Sequence, residues 1–296
     1  MYNKFIWLLI IFEISGFSGC ISAMESRHRK QLFEGSHAII IDHTTTDISK
    51  IPDFWIKKAR NLTIYYAHTS HGSQIVSGAV FLSKQNPKYR FLAQNTGADR
   101  PSLPKGDDSL RMCRTTGTPS TFWESFYSPG GYTRIAGESK LFNFAMFSWC
   151  GELSSYSEED VKRYLEALDG YEKEFPHMRF IYMTGHTDGR NLTLHYNNET
   201  IREYCAKNNK ILFDFADIES WSPDGRYYSL ADDDCSWCAS WCDANPHECV
   251  ELPEGCAHSP DGGGDIKNRY NCVLKGKAFW WMMARLAGWL PEQETK

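Results

Sequence analysis

Residues 62–72, LTIYYAHTSHG, decide the fold, because they join a strand to the start of a helix. The β-branched and aromatic run over residues 62–66 is typical of a strand. Residues 72–83 then place apolar side chains at nearly helical spacing. A strand followed at once by a helix is the repeating unit of a parallel sheet, so this segment predicts an α/β fold.

The same alternation of strand and helix continues along the chain. Helices are predicted after Ser157, which forms a capping box with Asp160, and over residues 272–287, which are apolar on most sides. Together with residues 62–66, the predicted strands form a three-layer, flavodoxin-like parallel sheet. The further strands lie at residues 90–93, 142–147, 180–183 and 211–215.

Composition excludes several classes of protein. The chain has 296 residues, of which 42% are hydrophobic, so it can bury a core and is not disordered. Its 32 basic and 37 acidic residues give a net charge of −5, with no basic block. This balance argues against nucleic acid as a partner.

The first residues are typical of an export signal. Residues 1–20 contain Lys4 and then the apolar run 5–12, which is too short to cross a bilayer. Small residues precede Cys20, as at a bacterial lipoprotein cleavage site. The alternative is an ordinary signal-peptide cleavage site after Ala23. A buried N-terminal helix is the remaining alternative. We expect an exported protein, periplasmic or on the cell surface, whose membrane contact is a lipid anchor at Cys20.

Beyond the signal, residues 37–290 form the predicted domain, and residues 24–50 are expected to have little structure. Residues 216–270 form a Cys-rich loop before the last helix. Six cysteines lie between Cys235 and Cys272. Export favours disulfides for them, while zinc ligation and free thiols stay open. Six cysteines allow fifteen pairings, and the sequence does not choose among them.

Polar residues follow each clear strand, at the edge where parallel sheets bind their ligands. Ser70 lies on the first strand-to-helix turn, where it is either a nucleophile or a helix cap. His258, in the Cys-rich loop, is either a general base or a surface residue. Strand-end residues that could bind substrate or a metal ion are His68, His71, His186 and Asp188.

These pieces resemble the SGNH (GDSL-like) hydrolases, and more closely a little-characterised exported bacterial branch of that superfamily. The similarity covers about residues 37–290. It is carried by residues 65–74 (YYAHTSHGSQ), 147–152 (FSWCGE), 182–189 (YMTGHTDG), 213–220 (FDFADIES), 256–259 (CAHS) and 271–289.

The resemblance implies that Ser70 is the nucleophile and His258 the general base. The superfamily has an Asp three residues before its His, where this chain has Gly255. Its oxyanion-binding Asn is also replaced, by the segment 149–151. We therefore expect Asp217, which follows the last strand, to be the acid. The predicted oxyanion donors are the backbone N–H groups of Ser70 and Gly151, with Gly97 as a third possibility, and Trp149 would stack on a sugar ring.

The predicted function is that of a serine esterase acting on a carbohydrate or other small ester outside the cytoplasm. Such a mechanism needs neither cofactor nor metal, so we expect none. Two alternatives stay open. The first is a metal-dependent hydrolase that uses the strand-end His and Asp residues, and the second is a non-catalytic surface protein that binds glycans.

Overall fold

The computed structural model describes residues 20–28, 31, 37–128, 130–260 and 264–291. The protein is an α/β protein whose sheet is entirely parallel and flanked by helices, as predicted, and the sheet has seven strands where five were expected. The predicted signal segment lies outside the described residues, apart from Cys20, which is exposed. Within the described ranges, no helix is both long enough and apolar enough to cross a membrane.

The sheet has the order β1-β7-β6-β5-β2-β4-β3. The five strands between the two edges are β2, β4, β5, β6 and β7. When they are renumbered 1 to 5 in chain order, their order across the sheet is 2-1-3-4-5, as in flavodoxin-like sheets. Strand β2 lies between β4 and β5, and all of its residues are buried. The strands are β1 (Ile39–Ile41), β2 (Thr63–His68), β3 (Phe91–Asn95), β4 (Leu110–Thr116), β5 (Phe144–Phe147), β6 (Arg179–Met183) and β7 (Ile211–Phe213).

Helices cover both faces of the sheet. The apolar last helix, α9, packs on α1, α2 and β1, whereas α5 packs on α6 and β6. The predicted capping box is confirmed, since Ser157 and Asp160 cap α5 reciprocally. From residue 37 onward, the described α-helices are α1 (Asp53–Ala59), α2 (Ser73–Gln85), α3 (Pro119–Phe122), α4 (Tyr132–Glu138), α5 (Glu158–Glu174), α6 (Leu192–Lys207), α7 (Phe215–Ser220), α8 (Ser236–Ala244) and α9 (Tyr270–Leu286). Residues 20–28 are helical as well.

Three parts of the predicted organisation were wrong. Residues 24–50 include strand β1, which is too short to give a periodic signal. Strand β4 was missed because Arg111 and Arg114 interrupt its apolar pattern. The predicted loop 216–270 also contains helix α8 and most of α7.

The Cys-rich segment holds three disulfides, so the prediction of disulfides is confirmed. The pairs are Cys235–Cys238, Cys242–Cys249 and Cys256–Cys272. Such bonds persist in oxidising compartments outside the cytosol. The third bond ties the loop that carries His258 to the start of α9.

Helices α2 and α9 touch through their backbones. A Cβ atom on Gly78 would lie 1.8 Å from the carbonyl oxygen of Cys272, and one on Gly276 would lie 2.4 Å from the carbonyl carbon of Gly78. The contact thus requires glycine on both helices, and it fixes how closely α9 approaches the turn that begins α2.

We predict that Gly78→Ala lowers the free energy of unfolding by about 1–3 kcal/mol, because the added methyl group overpacks the contact. In an exposed helix interior, replacing glycine by alanine would instead stabilise the helix by roughly 1 kcal/mol. Urea denaturation measures the change. Gly255→Ala is the control, since nothing lies within 4 Å of its added Cβ atom. A Gly78→Ala protein as stable as the parent would contradict the packing described here.

Candidate functional site

Adjacent strands bring two turns together at the carboxyl edge of the sheet. Strand β2 leads to Ser70 and His71, and its neighbour β5 leads to Cys150. The Sγ atom of Cys150 lies 3.4 Å from Oγ of Ser70 and 3.3 Å from Nδ1 of His71. The thiol is half-exposed, so these three side chains form a cluster that solvent can reach.

Gly72 makes the turn after β2 possible. A Cβ atom there would lie 2.4 Å from Cβ of His68 and 2.7 Å from Cβ of Ser148. The hydroxyl of Tyr66, on β2, donates to the carbonyl of Gly72 at 3.0 Å. The turn therefore folds tightly over the end of the sheet, and this places His71 beside the turn that carries Cys150.

His71 is oriented by a carboxylate from the Cys-rich segment. Its Nε2 atom lies 2.9 Å from Oδ2 of Asp233. Because a carboxylate accepts hydrogen bonds, Nε2 carries the proton and the lone pair of Nδ1 faces the thiol of Cys150. Burial lowers the pKa of His71, against the opposing effect of the bond to Asp233. The imidazole is therefore a neutral proton acceptor at neutral pH.

Three imidazole rings stack at this site. His71 lies between His186 and His258, with ring centroids 4.1 Å and 3.9 Å away. His258 has a left-handed backbone with φ of 64°, and its Nδ1 atom lies 3.5 Å from Oδ2 of Asp233. Burial by itself would raise the pKa of Asp233. The hydrogen bond from His71 and the charges of the nearby imidazoles outweigh this effect and lower the pKa overall, so the carboxylate stays ionised.

The predicted catalytic set is only partly brought together. The hydroxyl of Ser70 contacts Cys150 rather than the imidazole of His258. The predicted acid, Asp217, lies 2.5 Å from Nδ1 of His43 instead, and that imidazole stacks on Trp221. Nδ1 of His258 lies 3.5 Å from Oδ2 of Asp233, which belongs to the same Cys-rich segment.

Two predicted substrate-binding residues also lie elsewhere. Trp149 is 1% exposed, and its indole N–H donates to the carbonyl of Met183, so no sugar can stack on it. Gly97 follows the edge strand β3, which β4 separates from β2. Gly151, in contrast, follows Cys150 directly, and nothing lies within 4 Å of a Cβ atom built on it.

The residues predicted as metal ligands do not form one site. Nδ1 of His68 donates to the carbonyl of Thr69, and its Nε2 accepts from Nε of Arg114. Asp188 is exposed. The ligand atoms of His71, Asp233 and His258 do lie within 4.8 Å of one another. However, the rings of His71 and His258 are parallel within 8°. An ion in the plane of one ring is then outside the plane of the other, which disfavours joint coordination.

Sequence reasoning missed two residues of this site. Cys150 stands in the segment that replaces the expected Asn, and it was not considered as a nucleophile. Asp233 is the middle residue of three consecutive aspartates, a pattern typical of a solvated loop. The useful signal was that Cys150 directly follows a predicted strand, as Ser70 and His71 also do.

The elements around the site meet at a fully buried ammonium group, that of Lys275 on α9. Its Nζ atom lies 2.6 Å from Oε1 of Gln74, 2.7 Å from Oε1 of Glu219 and 2.6 Å from Oδ1 of Asn271. It also lies 4.1 Å from the centre of the Phe215 ring. Burial lowers the pKa of Lys275 to about 8, although the charge of Glu219 opposes this shift.

Each acceptor of Lys275 also holds a loop that carries a site residue. The ammonium group thereby links the turn after β2, the loop after β6 and the Cys-rich segment. Gln74 donates from Nε2 to the carbonyl of Ala257, next to His258. Glu219 accepts at Oε2 from the N–H of Thr187 at 2.7 Å, next to His186. Asn271 donates from Nδ2 to the carbonyl of Asp233 at 3.3 Å.

Comparison with known proteins does not identify the chain. No protein-family model matches it. No curated protein matches it at a significant level. The resemblance to SGNH hydrolases therefore stays a prediction based on short strings, and function has to be argued from the site.

We predict that Lys275→Met lowers the free energy of unfolding by about 3–5 kcal/mol, because it leaves the carboxylate of Glu219 buried without its cation. The double variant Lys275→Met/Glu219→Gln should lose less than the sum of the two single variants. Chemical denaturation of all three proteins measures this coupling.

Lys162→Met on α5 is the matched control for this series. Its ion pair with Glu158 is exposed, so its loss should leave the stability essentially unchanged. Equal effects of Lys275→Met and Lys162→Met would show that the buried network does not hold the fold together.

Proposed function

We propose that the protein is a hydrolase of the ester class in which Cys150 is the nucleophile. The observation that carries the proposal is the pair of distances through His71: 3.3 Å from Cys150 Sγ to Nδ1, and 2.9 Å from Nε2 to Asp233 Oδ2. A nucleophile, a base and an acid that orients the base, each within hydrogen-bond reach of the next, form a catalytic triad.

The contacts favour the thiol of Cys150 over the hydroxyl of Ser70. The thiol has a neutral imidazole to accept its proton. Within the described part of the chain, the hydroxyl of Ser70 has the thiol as its partner and no imidazole, and Ser70 is exposed. A thiol is also much more acidic than a serine hydroxyl, so its deprotonation by an imidazole is easier. We therefore replace the predicted serine mechanism by a cysteine mechanism at the same edge of the sheet.

The reaction would run through an acyl-enzyme. His71 takes the thiol proton at Nδ1, and the sulfur attacks the ester carbonyl. The C–O bond to the leaving alcohol then breaks, the alcohol takes the proton from His71, and the acyl group stays on Cys150 as a thioester. Water attacks this thioester while His71 accepts its proton, and the released thiolate recovers that proton. Asp233 keeps the imidazole in the required tautomer throughout.

Two backbone N–H groups are suited to bind the oxyanion. Among the described contacts, neither the N–H of Ser70 nor that of Gly151 donates to a protein acceptor. The N–H of Cys150 is used, since it donates to Oε2 of Glu152 at 2.8 Å. Free donors beside the nucleophile stabilise the charge that develops on the carbonyl oxygen. This supports the predicted roles of Ser70 and Gly151 as backbone donors.

The proposed setting is outside the cytoplasm, with a small or glycan ester as substrate. Three disulfides support an oxidising compartment. Export by residues 1–20 and a lipid anchor at Cys20 follow from the sequence pattern alone. The ester class follows from the resemblance and from the chemistry of the triad.

We predict that Cys150→Ala and His71→Ala each reduce kcat/KM on p-nitrophenyl acetate by at least about 10³-fold, and that the double variant is little worse, because the two residues act as a unit. Ser70→Ala should cost less than tenfold, since it keeps the backbone N–H. Iodoacetamide should inactivate the protein by alkylating Cys150.

Cys205→Ala is the control, because this thiol is buried away from the site on α6. Circular dichroism and denaturation verify that each variant is folded. Loss of activity in Ser70→Ala, with activity kept in Cys150→Ala, would establish the serine mechanism instead. Activity kept in both variants would exclude acyl transfer at this site.

The pH profile provides a separate test. Burial lowers the pKa of His71 below its ordinary value of 6.5, so the base stays neutral to lower pH than a solvated histidine does. We therefore predict that kcat/KM falls only below pH 6.5, as the pH drops through this lowered pKa.

Asp233→Asn removes a hydrogen bond that raises the pKa of His71. The acidic limb of its profile should therefore move to still lower pH, while kcat falls because the tautomer is no longer held. An acidic limb above pH 6.5 in the parent protein, or one that rises in Asp233→Asn, would contradict these roles.

A further inference from the structure

A groove of about 560 Å³ runs beside the site, between helix α2 and the loop 251–255 of the Cys-rich segment. Helix α2 lines it with Ser73, three residues after Ser70, and with apolar residues further along. The loop contributes Leu252. At the sheet, Arg114 of β4 lines the groove. Apolar side chains of α2 and that of Leu252 thus line the groove together with polar ones, and Arg114 lies where the groove meets the sheet.

The guanidinium of Arg114 is held by one contact and has no counter-charge. Its Nε atom donates to Nε2 of His68 at 3.1 Å. Among the described residues, no carboxylate pairs with it, and its terminal nitrogens donate to no protein acceptor. The side chain is half-buried, and burial lowers its pKa. A partly desolvated cation without a counter-charge is a costly feature for the free protein to keep.

His68 fixes the direction of this cation and adds no charge of its own. Its Nδ1–H donates to the carbonyl of Thr69 at 2.7 Å, which leaves Nε2 as the acceptor for Arg114. Burial lowers the pKa of His68 to about 4, so the ring is neutral at ordinary pH. Because Nε is occupied, the N–H groups of the two terminal nitrogens are left to bind a ligand, and their fork matches a carboxylate.

The other charged residues that line the groove have partners of their own on the rim. Lys84 lies 2.7 Å from Oε1 of Glu254, and the amide of Gln85 bonds the carboxylate of Glu251. These groups lie on the exposed rim, away from the sheet. Glu251 keeps its negative charge at the rim, because a neutral amide does not balance it. Among the described residues, Arg114 is the cation of the groove lining that no carboxylate pairs.

We propose that this groove is the acyl-binding subsite and that Arg114 binds a carboxylate at the far end of the acyl chain. The substrate class would be esters whose acyl part combines an apolar chain with a terminal anion. This inference rests on the proposed ester hydrolysis, and it makes Arg114 a residue that determines specificity rather than one that takes part in the chemistry.

The test uses a matched pair of substrates, p-nitrophenyl hydrogen adipate and its methyl ester, which differ by one negative charge. The parent protein should prefer the anionic ester by at least tenfold in kcat/KM, mainly through KM. Arg114→Gln keeps a donor for His68 but removes the charge. It should abolish the preference, so that kcat/KM for the two esters becomes equal within about threefold.

Arg114→Lys should recover only part of the preference, because an ammonium group does not form the bidentate pair. Lys84→Gln is the control, since it removes a cation from the rim of the same groove and should leave the preference intact. Ester hydrolysis without any preference for the anionic substrate would overturn the subsite and leave the proposed function standing.

If no ester is hydrolysed, that result overturns the proposed function. A binding measurement then tests the role of Arg114 separately. Titration calorimetry of the folded Cys150→Ala protein with monomethyl adipate should detect binding. Adding Arg114→Gln to that protein should weaken the binding at least tenfold. Equal binding to both proteins, or none to either, would overturn the role of Arg114.

Discussion

The buried ammonium group of Lys275 is the contact on which the site depends. A charge that is removed from water is costly unless hydrogen bonds and an opposite charge replace its hydration. Here Gln74, Glu219 and Asn271 together supply three acceptors, and one of them is ionised. Since the acceptors come from three different helices, the ammonium group is satisfied only when these helices and their attached loops are all in place.

This arrangement explains how residues far apart in sequence meet within a few ångströms. The parallel order of β2 and β5 brings the thiol of Cys150 beside His71. The sheet alone, however, does not supply Asp233 or His258. Both lie in the Cys-rich segment, which the Cys256–Cys272 disulfide and the contacts of Asn271 hold against the edge of the sheet. The outer layer of the site is thus held by covalent and polar constraints in addition to the apolar packing of residues such as Trp237.

Most of the fold could be predicted because the buried strands of a parallel sheet are continuous apolar runs. Strand β4 was not predicted because Arg111 and Arg114 interrupt its apolar pattern. Arg114 is the residue to which we assign a binding role. Breaks in a local pattern are expected at functional positions. The three isoleucines of β1 were too short a run to stand out from a polar leader.

The site was less predictable, because its partners are chosen by tertiary contacts. Asp217 was a reasonable acid by its position after a strand, but its carboxylate faces His43. Trp149 looked suited to a sugar, yet its indole fills the core below the site. Nothing in the sequence distinguishes Asp233 from its two acidic neighbours.

The central claim is that the acyl group is carried by the sulfur of Cys150, and the most direct measurement is to trap that intermediate. The protein would be mixed with p-nitrophenyl acetate, quenched in acid during turnover, digested and analysed by mass spectrometry. We predict an acetyl group on the peptide that contains Cys150, removed by neutral hydroxylamine as expected for a thioester. An acetyl group on Ser70 that resists hydroxylamine, or continued turnover with Cys150 alkylated, would contradict the account.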